Sequence, residues 1–127
     1  MADVALHTFP KEERLCSRKA LEELFGGGRQ SVSAFPVRAV FMPNEVGTVR
    51  VLVSVSKRYF KRAVKRNRIK RQLREAYRLQ KDLLQPLEGG LDIALLWTSD
   101  EMLPSEKVQR KVQNILQRIR ESVVLSS

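Results

Sequence analysis

VRVLVSVSKRYFKRAVKRNRIKRQLREAYRLQKDLL, from Val49 to Leu84, switches its hydrophobic period once, and the switch decides the fold. Through Ser56 the residues alternate. Val49, Val51, Val53 and Val55 line one face, while Arg50, Leu52, Ser54 and Ser56 make the other partly polar, so Thr48 to Ser56 reads as a strand. From about Phe60 to Leu84 there is no Gly or Pro. Ile69, Leu73, Ala76, Tyr77 and Leu84 recur there as one apolar stripe, which predicts a long amphipathic helix.

Working outward, Phe35 to Met42 is a second β-rich run, and Pro43-Asn44-Glu45-Val46-Gly47 between the two strands reads as a hairpin. Ser17 to Phe25 spaces Ala20, Leu21, Leu24 and Phe25 at helical intervals and stops at Gly26-Gly27-Gly28. After the long helix, Pro86 and Gly89-Gly90 mark a break. Leu91 to Thr98 is apolar almost throughout and reads as a strand covered on both faces. A last helix opens at Pro104-Ser105 and carries Val108, Val112, Ile115, Leu116 and Ile119 toward the core. The expected order is α-β-β-α-β-α in a single α+β domain spanning 1–127, with 1–13 a loose N-terminal arm.

Charge is sorted along this frame. Lys57 to Arg74 holds ten Lys or Arg in eighteen residues, no acid falls between Arg50 and Glu75, and the remaining 14 bases match the 14 acids of the chain. A protein that confines its excess charge to one element is built to hold a polyanion there, since displacing condensed counterions drives nucleic-acid binding. On a helical wheel Arg68, Lys70, Arg71, Arg74 and Arg78 lie opposite the apolar stripe with Asn67 among them. Arg62, Lys65 and Arg66 lie on the stripe's own side, so that end of the helix overhangs the core. Lys57, Arg58, Lys61 and Arg62 also crowd a helix N-terminus, where the dipole disfavours each exposed cation by roughly 0.3–1 kcal/mol. Bound phosphates would relieve that conflict.

Other chemistries find little support. One histidine, His7, and one cysteine, Cys16, give no nucleophile and base pair, no zinc cluster and no internal disulfide. The glycine run at 26–28 lacks the following Lys-Ser/Thr of a phosphate loop. Trp97 and Phe41 are read as core residues. No stretch is long enough for a membrane span, and the N-terminus lacks the pattern of a secretion signal, which together suit a cytoplasmic protein. By residues alone, the chain binds RNA or DNA and does not cut it.

Val53-Ser54-Val55-Ser56-Lys57-Arg58, leading into Lys65-Arg66-Asn67-Arg68-Ile69-Lys70-Arg71-Gln72-Leu73-Arg74-Glu75, closely resembles the signature of the bacterial ribonuclease P protein family. The similarity extends to Arg14–Phe25 (RLCSRKALEELF) and to the order of elements. The resemblance implies a ribosomal-protein-like α+β sandwich with a left-handed β-α-β crossover, working in a ribonucleoprotein endonuclease that removes the 5′ leader from precursor tRNA. It implies that a partner RNA performs the Mg2+-dependent hydrolysis and that no catalytic residue or further protein partner is required of this chain. Lys57, Arg58, Lys61, Arg62, Lys65, Arg66, Asn67, Arg68, Lys70, Arg71 and Arg74 are then the contacts to the catalytic RNA. Arg14, Leu21, Phe25 and Arg38 line a leader cleft between the first helix and the sheet. Many relatives carry aromatics where this chain has Leu21 and Arg38, which shifts leader recognition from stacking toward charge. A structural ribosomal protein would share size and charge but lack the Arg66-Asn67-Arg68 helix, and a DNA-binding regulator would need a short helix and turn before the long one.

Overall fold

A computed structural model describes residues 30–44, 47–84 and 89–126. The segment 17–25, the 1–13 arm, Arg14, Cys16, Leu21 and Phe25 lie outside the described residues. Four strands, β1 (Gln30–Ala34), β2 (Val37–Asn44), β3 (Arg50–Val55) and β4 (Gly90–Trp97), form one sheet. Helix α1 (Ala63–Gln80) continues into a 3-10 turn at Lys81–Leu84, and helix α2 (Ser105–Ser126) follows β4.

The strand order is β1-β2-β4-β3, with β1–β2 and β2–β4 antiparallel and β3–β4 parallel. The expected hairpin at Pro43–Gly47 is therefore wrong: β2 and β3 are not partners, because β4 lies between them. The cause is in β4 itself. Seven of its eight residues are buried, and a strand apolar on both faces is stable only when flanked and covered. The true hairpin joins β1 to β2. Its turn is Phe35–Pro36, two residues read as the start of a strand, and Gln30–Ala34 is a strand that was not expected.

The valine alternation sets which face is buried. Val51, Val53 and Val55 meet Ile69, Leu73, Ala76 and Tyr77 of α1, while Val37, Ala39 and Phe41 of β2 and Ile93, Leu95 and Trp97 of β4 share the same core with Val108, Val112, Ile115, Leu116 and Ile119 of α2. Each large side chain buried there contributes about 1.5–3 kcal/mol relative to exposure. Trp97 and Phe41 are core residues, as read, and the Trp97 Nε1 donates to the Glu101 carbonyl at 3.0 Å. The opposite sheet face holds a smaller cluster, Val40 and Ala94 packed with Met42, Leu52 and Leu96.

A polar clamp closes one end of that second face. Asp92, in the middle of the sheet, accepts from Arg50 Nε at 2.8 Å, from Arg50 Nη2 at 2.9 Å and from Asn44 Nδ2 at 2.8 Å. Asn44 also donates to the Thr48 carbonyl at 3.0 Å and accepts from the Gly47 amide at 3.3 Å. Gly47 sits at φ 84°, a conformation that favours glycine. Among the described residues no helix is long and apolar enough to cross a membrane.

Candidate nucleic-acid interface

The basic helix begins at Ala63 with Arg62 as its N-cap, and no side chain caps its first amides. No acid occupies the first turn. Lys57, Arg58, Lys61, Arg62 and Lys65 are all exposed around this bare end, as the overhang reading requires. Farther along, Asn67, Arg68, Arg71 and Arg74 are exposed and Lys70 is half-buried, while Ile69, Leu73, Ala76 and Tyr77 are buried on the opposite side. Among the described residues, ion pairs involve Arg50 with Asp92 and Arg78 with Glu75, and none of the ten cations from Lys57 to Arg74 has an acidic partner. Like charges this dense repel one another until an anion arrives.

Arg66 differs from its neighbours. It is half-buried, and its Nη1 donates to the carbonyls of Phe60 at 2.7 Å and Lys61 at 2.8 Å, folding the approach segment back onto the helix. Phe60 is itself 6% exposed and packed in the core. Thus Arg66 holds the shape of the basic surface as well as adding charge to it.

Two glutamines that composition could not single out aim the helix. Gln72 Nε2 donates to the Leu103 carbonyl at 3.0 Å and to Ser105 Oγ at 3.2 Å. Gln80 Nε2 donates to the Ala76 carbonyl at 3.1 Å and to the Gln109 carbonyl at 2.9 Å. Both fix α1 against α2 and its approach, so the cationic face stays turned outward. At the far end Glu75 pairs with Arg78, whose guanidinium hydrogen bond holds the Glu75 carboxyl below its usual range, and the same bond raises Arg78. The acid-free surface therefore ends at Arg74, before the helix itself ends at Gln80.

Arg38 stands apart from this surface. It is exposed on β2, paired in register with Ser33 and Leu96, and belongs to the sheet face that α1 does not cover. Of the four residues assigned to a leader cleft, it alone is among those described. Among the described residues no three His, Cys, Asp or Glu converge to hold a metal ion.

A four-stranded α+β domain that turns an acid-free cationic stretch, Lys57 to Arg74, outward carries the electrostatic footprint typical of nucleic-acid-binding proteins. The relatives narrow that class. A family model described as Ribonuclease P matches residues 9–120, and the chain belongs to that family. It is 41% identical to the ribonuclease P protein component of Porphyromonas gingivalis W83, covering 92% of this chain and 90% of that one. With the corresponding protein of Marinobacter nauticus the identity is 33%, over 89% of this chain and 83% of the relative. Among solved structures, the Staphylococcus aureus RNase P protein aligns with a TM-score of 0.72 at 22% identity, over 85% of this chain and 95% of that one. The Thermotoga maritima RNase P protein aligns with a TM-score of 0.70 at 25% identity, over 84% and 96%.

Proposed function

We propose that this chain assembles with a catalytic RNA through the exposed face of α1 and its approach, and that the assembled ribonucleoprotein removes the 5′ leader of precursor tRNA. The observation that carries the reading is the run of ten cations from Lys57 to Arg74 without an acidic partner among the described residues. Each phosphate that such a surface neutralises releases counterions and adds about 0.9 to the slope of log affinity against log salt for a duplex. Lys57, Arg58, Lys61, Arg62 and Lys65 meet backbone phosphates at the uncapped start of α1, where free amides and cations attract anions together. Asn67, Arg68, Lys70, Arg71 and Arg74 extend the contact along the helix.

Arg38, on the other face of the sheet, holds the leader phosphates while α1 holds the catalytic RNA. Hydrolysis belongs to the RNA, with its Mg2+.

The test is reconstitution. Adding the full-length protein to ribonuclease P RNA should lower the Mg2+ concentration needed to cleave precursor tRNA, and the protein alone should cleave nothing. An unchanged Mg2+ requirement, or cleavage by RNA-free protein that survives stringent purification, overturns the proposal.

A further inference from the structure

The Phe35–Pro36 turn and the first turns of α2 line a cavity of about 600 Å3 at the β1 edge of the sheet. Its wall combines two unlike features. Phe35 is 69% exposed, although burying its ring would be favourable. The turn that presents it is tied down: the Pro36 carbonyl accepts from the Thr98 amide at 2.8 Å and from Thr98 Oγ1 at 3.0 Å. Opposite stand Lys107, Arg110, Lys111 and Asn114, which fall on one face of α2 by their spacing of three and four. Glu101 is the one acid of the lining. Lower on the same helix, Arg118 donates to the Ser33 carbonyl and fixes α2 against β1.

The geometry points to a second RNA subsite here, which takes one unpaired nucleotide: its base stacks on Phe35 and its phosphates lie against Lys107, Arg110 and Lys111. An aromatic ring held in solvent beside a row of cations and an amide matches a base joined to a phosphate. An acidic peptide would use the cations and leave the ring idle, and a membrane surface would need more than one apolar anchor. The inference rests on the proposed function only in that the chain works on RNA. The start of β2 lies two strands from Val55, where the approach to α1 begins, and the strand end that precedes Phe35 lies three strands from it. One bound strand can therefore span both surfaces.

The experiment is photocrosslinking of the reconstituted holoenzyme, with 4-thiouridine placed either in the precursor leader or in the unpaired segments of the catalytic RNA. Crosslinks to the peptide containing Phe35 are expected from one of the two RNAs, and that arm identifies the source of the nucleotide. A 4-thiouridine-containing decamer bound to the full chain gives the same readout without assembly. By anisotropy, Phe35→Ala should weaken decamer binding about fivefold or more, Phe35→Trp should restore it, and Lys107→Ala/Arg110→Ala/Lys111→Ala should weaken it and flatten its salt dependence. These side chains are exposed or at the surface, so circular dichroism should show each variant folded. Crosslinks confined to residues 57–74, or wild-type decamer affinity in a folded Phe35→Ala variant, overturn the subsite while leaving the role of α1 intact. No RNA binding by the wild-type chain at all overturns both.

Discussion

Arg66 Nη1 sits 2.7 Å from the carbonyl oxygen of Phe60, six residues back, and 2.8 Å from that of Lys61. One charged donor thus fastens the strand-to-helix approach where no side chain caps the helix. Within the tripeptide Arg66-Asn67-Arg68 the two arginines consequently have different duties.

Replacing Arg66 with Ala should cost roughly 1–2 kcal/mol of stability, the loss of a charged donor to two carbonyls, and should weaken RNA assembly through a frayed helix start. Replacing the exposed Arg68 with Ala should leave the melting temperature almost unchanged, yet lower the salt slope of binding by about one. Thermal melts and salt titrations of the two variants side by side check this. Equal melting temperatures would remove the structural role assigned to Arg66.

The Arg50–Asp92 pair is largely desolvated, with side-chain exposures of 17% and 5%. Asp92→Ala strands the Arg50 guanidinium and the Asn44 amide, and should cost about 3 kcal/mol. Replacing both partners together, Arg50→Met with Asp92→Leu, should recover most of that loss, since no charge is then left without its partner. Denaturant unfolding of the three variants decides it. A double variant less stable than Asp92→Ala would show that the pair, and not the stranded charge, holds β3 to β4.

Gly90 faces the same clamp. A β-carbon there would lie 1.9 Å from Asn44 Oδ1 and 2.8 Å from the Thr48 amide nitrogen, closer than real contacts allow. Gly90→Ala should therefore cost about 1–3 kcal/mol by overpacking. Combining it with Asn44→Ala should cost less than the sum of the single losses, because the two changes share one collision.

Local patterns account for what was legible in the sequence. Val51, Val53 and Val55, the stripe Ile69–Leu73–Ala76–Tyr77 and the α2 row Val108 to Ile119 each record one element's period, and all three reach the core. The run of cations from Lys57 to Arg74 was legible for the same reason. Pairing was not, because it depends on residues far apart in the chain. Pro43 to Gly47 has the composition of a hairpin turn, yet β4 separates the strands that flank it. The apolar run Leu91–Trp97 contained the correction, since a strand buried on both faces belongs in the middle of a sheet. Gln30–Ala34 is an edge strand whose residues are all exposed or half-buried, so it carries almost no hydrophobic signal. Nor could spacing reveal that Gln72 and Gln80 aim the basic face, because their partners are backbone carbonyls.

Glu75 provides a pH test. Its folded-state carboxyl is held below the usual range by Arg78, so the pair stabilises the helix above the ordinary carboxylate range and stops doing so as the pH falls through the lowered value. The gain is small, since the pair is exposed and screened. Wild type should melt slightly above Glu75→Gln near pH 7, and the difference should shrink as the pH falls through the lowered carboxyl value. A difference that grows on acidification would contradict the sign of the shift.

Arg38 separates leader recognition from assembly. It projects from β2 on the face opposite α1, is exposed, and takes no part in the hydrogen bonds of the clamp around Asp92. Reversing its charge with Arg38→Glu should leave the fold and the affinity for catalytic RNA nearly unchanged. If leader phosphates run past it, the holoenzyme should lose on the order of tenfold in affinity for precursor tRNA at low salt, less at high salt, and almost nothing for mature tRNA. Arg38→Gln, which removes a charge without reversing it, should give a smaller loss in the same direction. The comparison of precursor with mature tRNA is what makes the test specific, because damage to the helix surface would lower both affinities together. Equal losses for the two tRNAs in a well-folded variant would therefore refute a leader path across this face of the sheet.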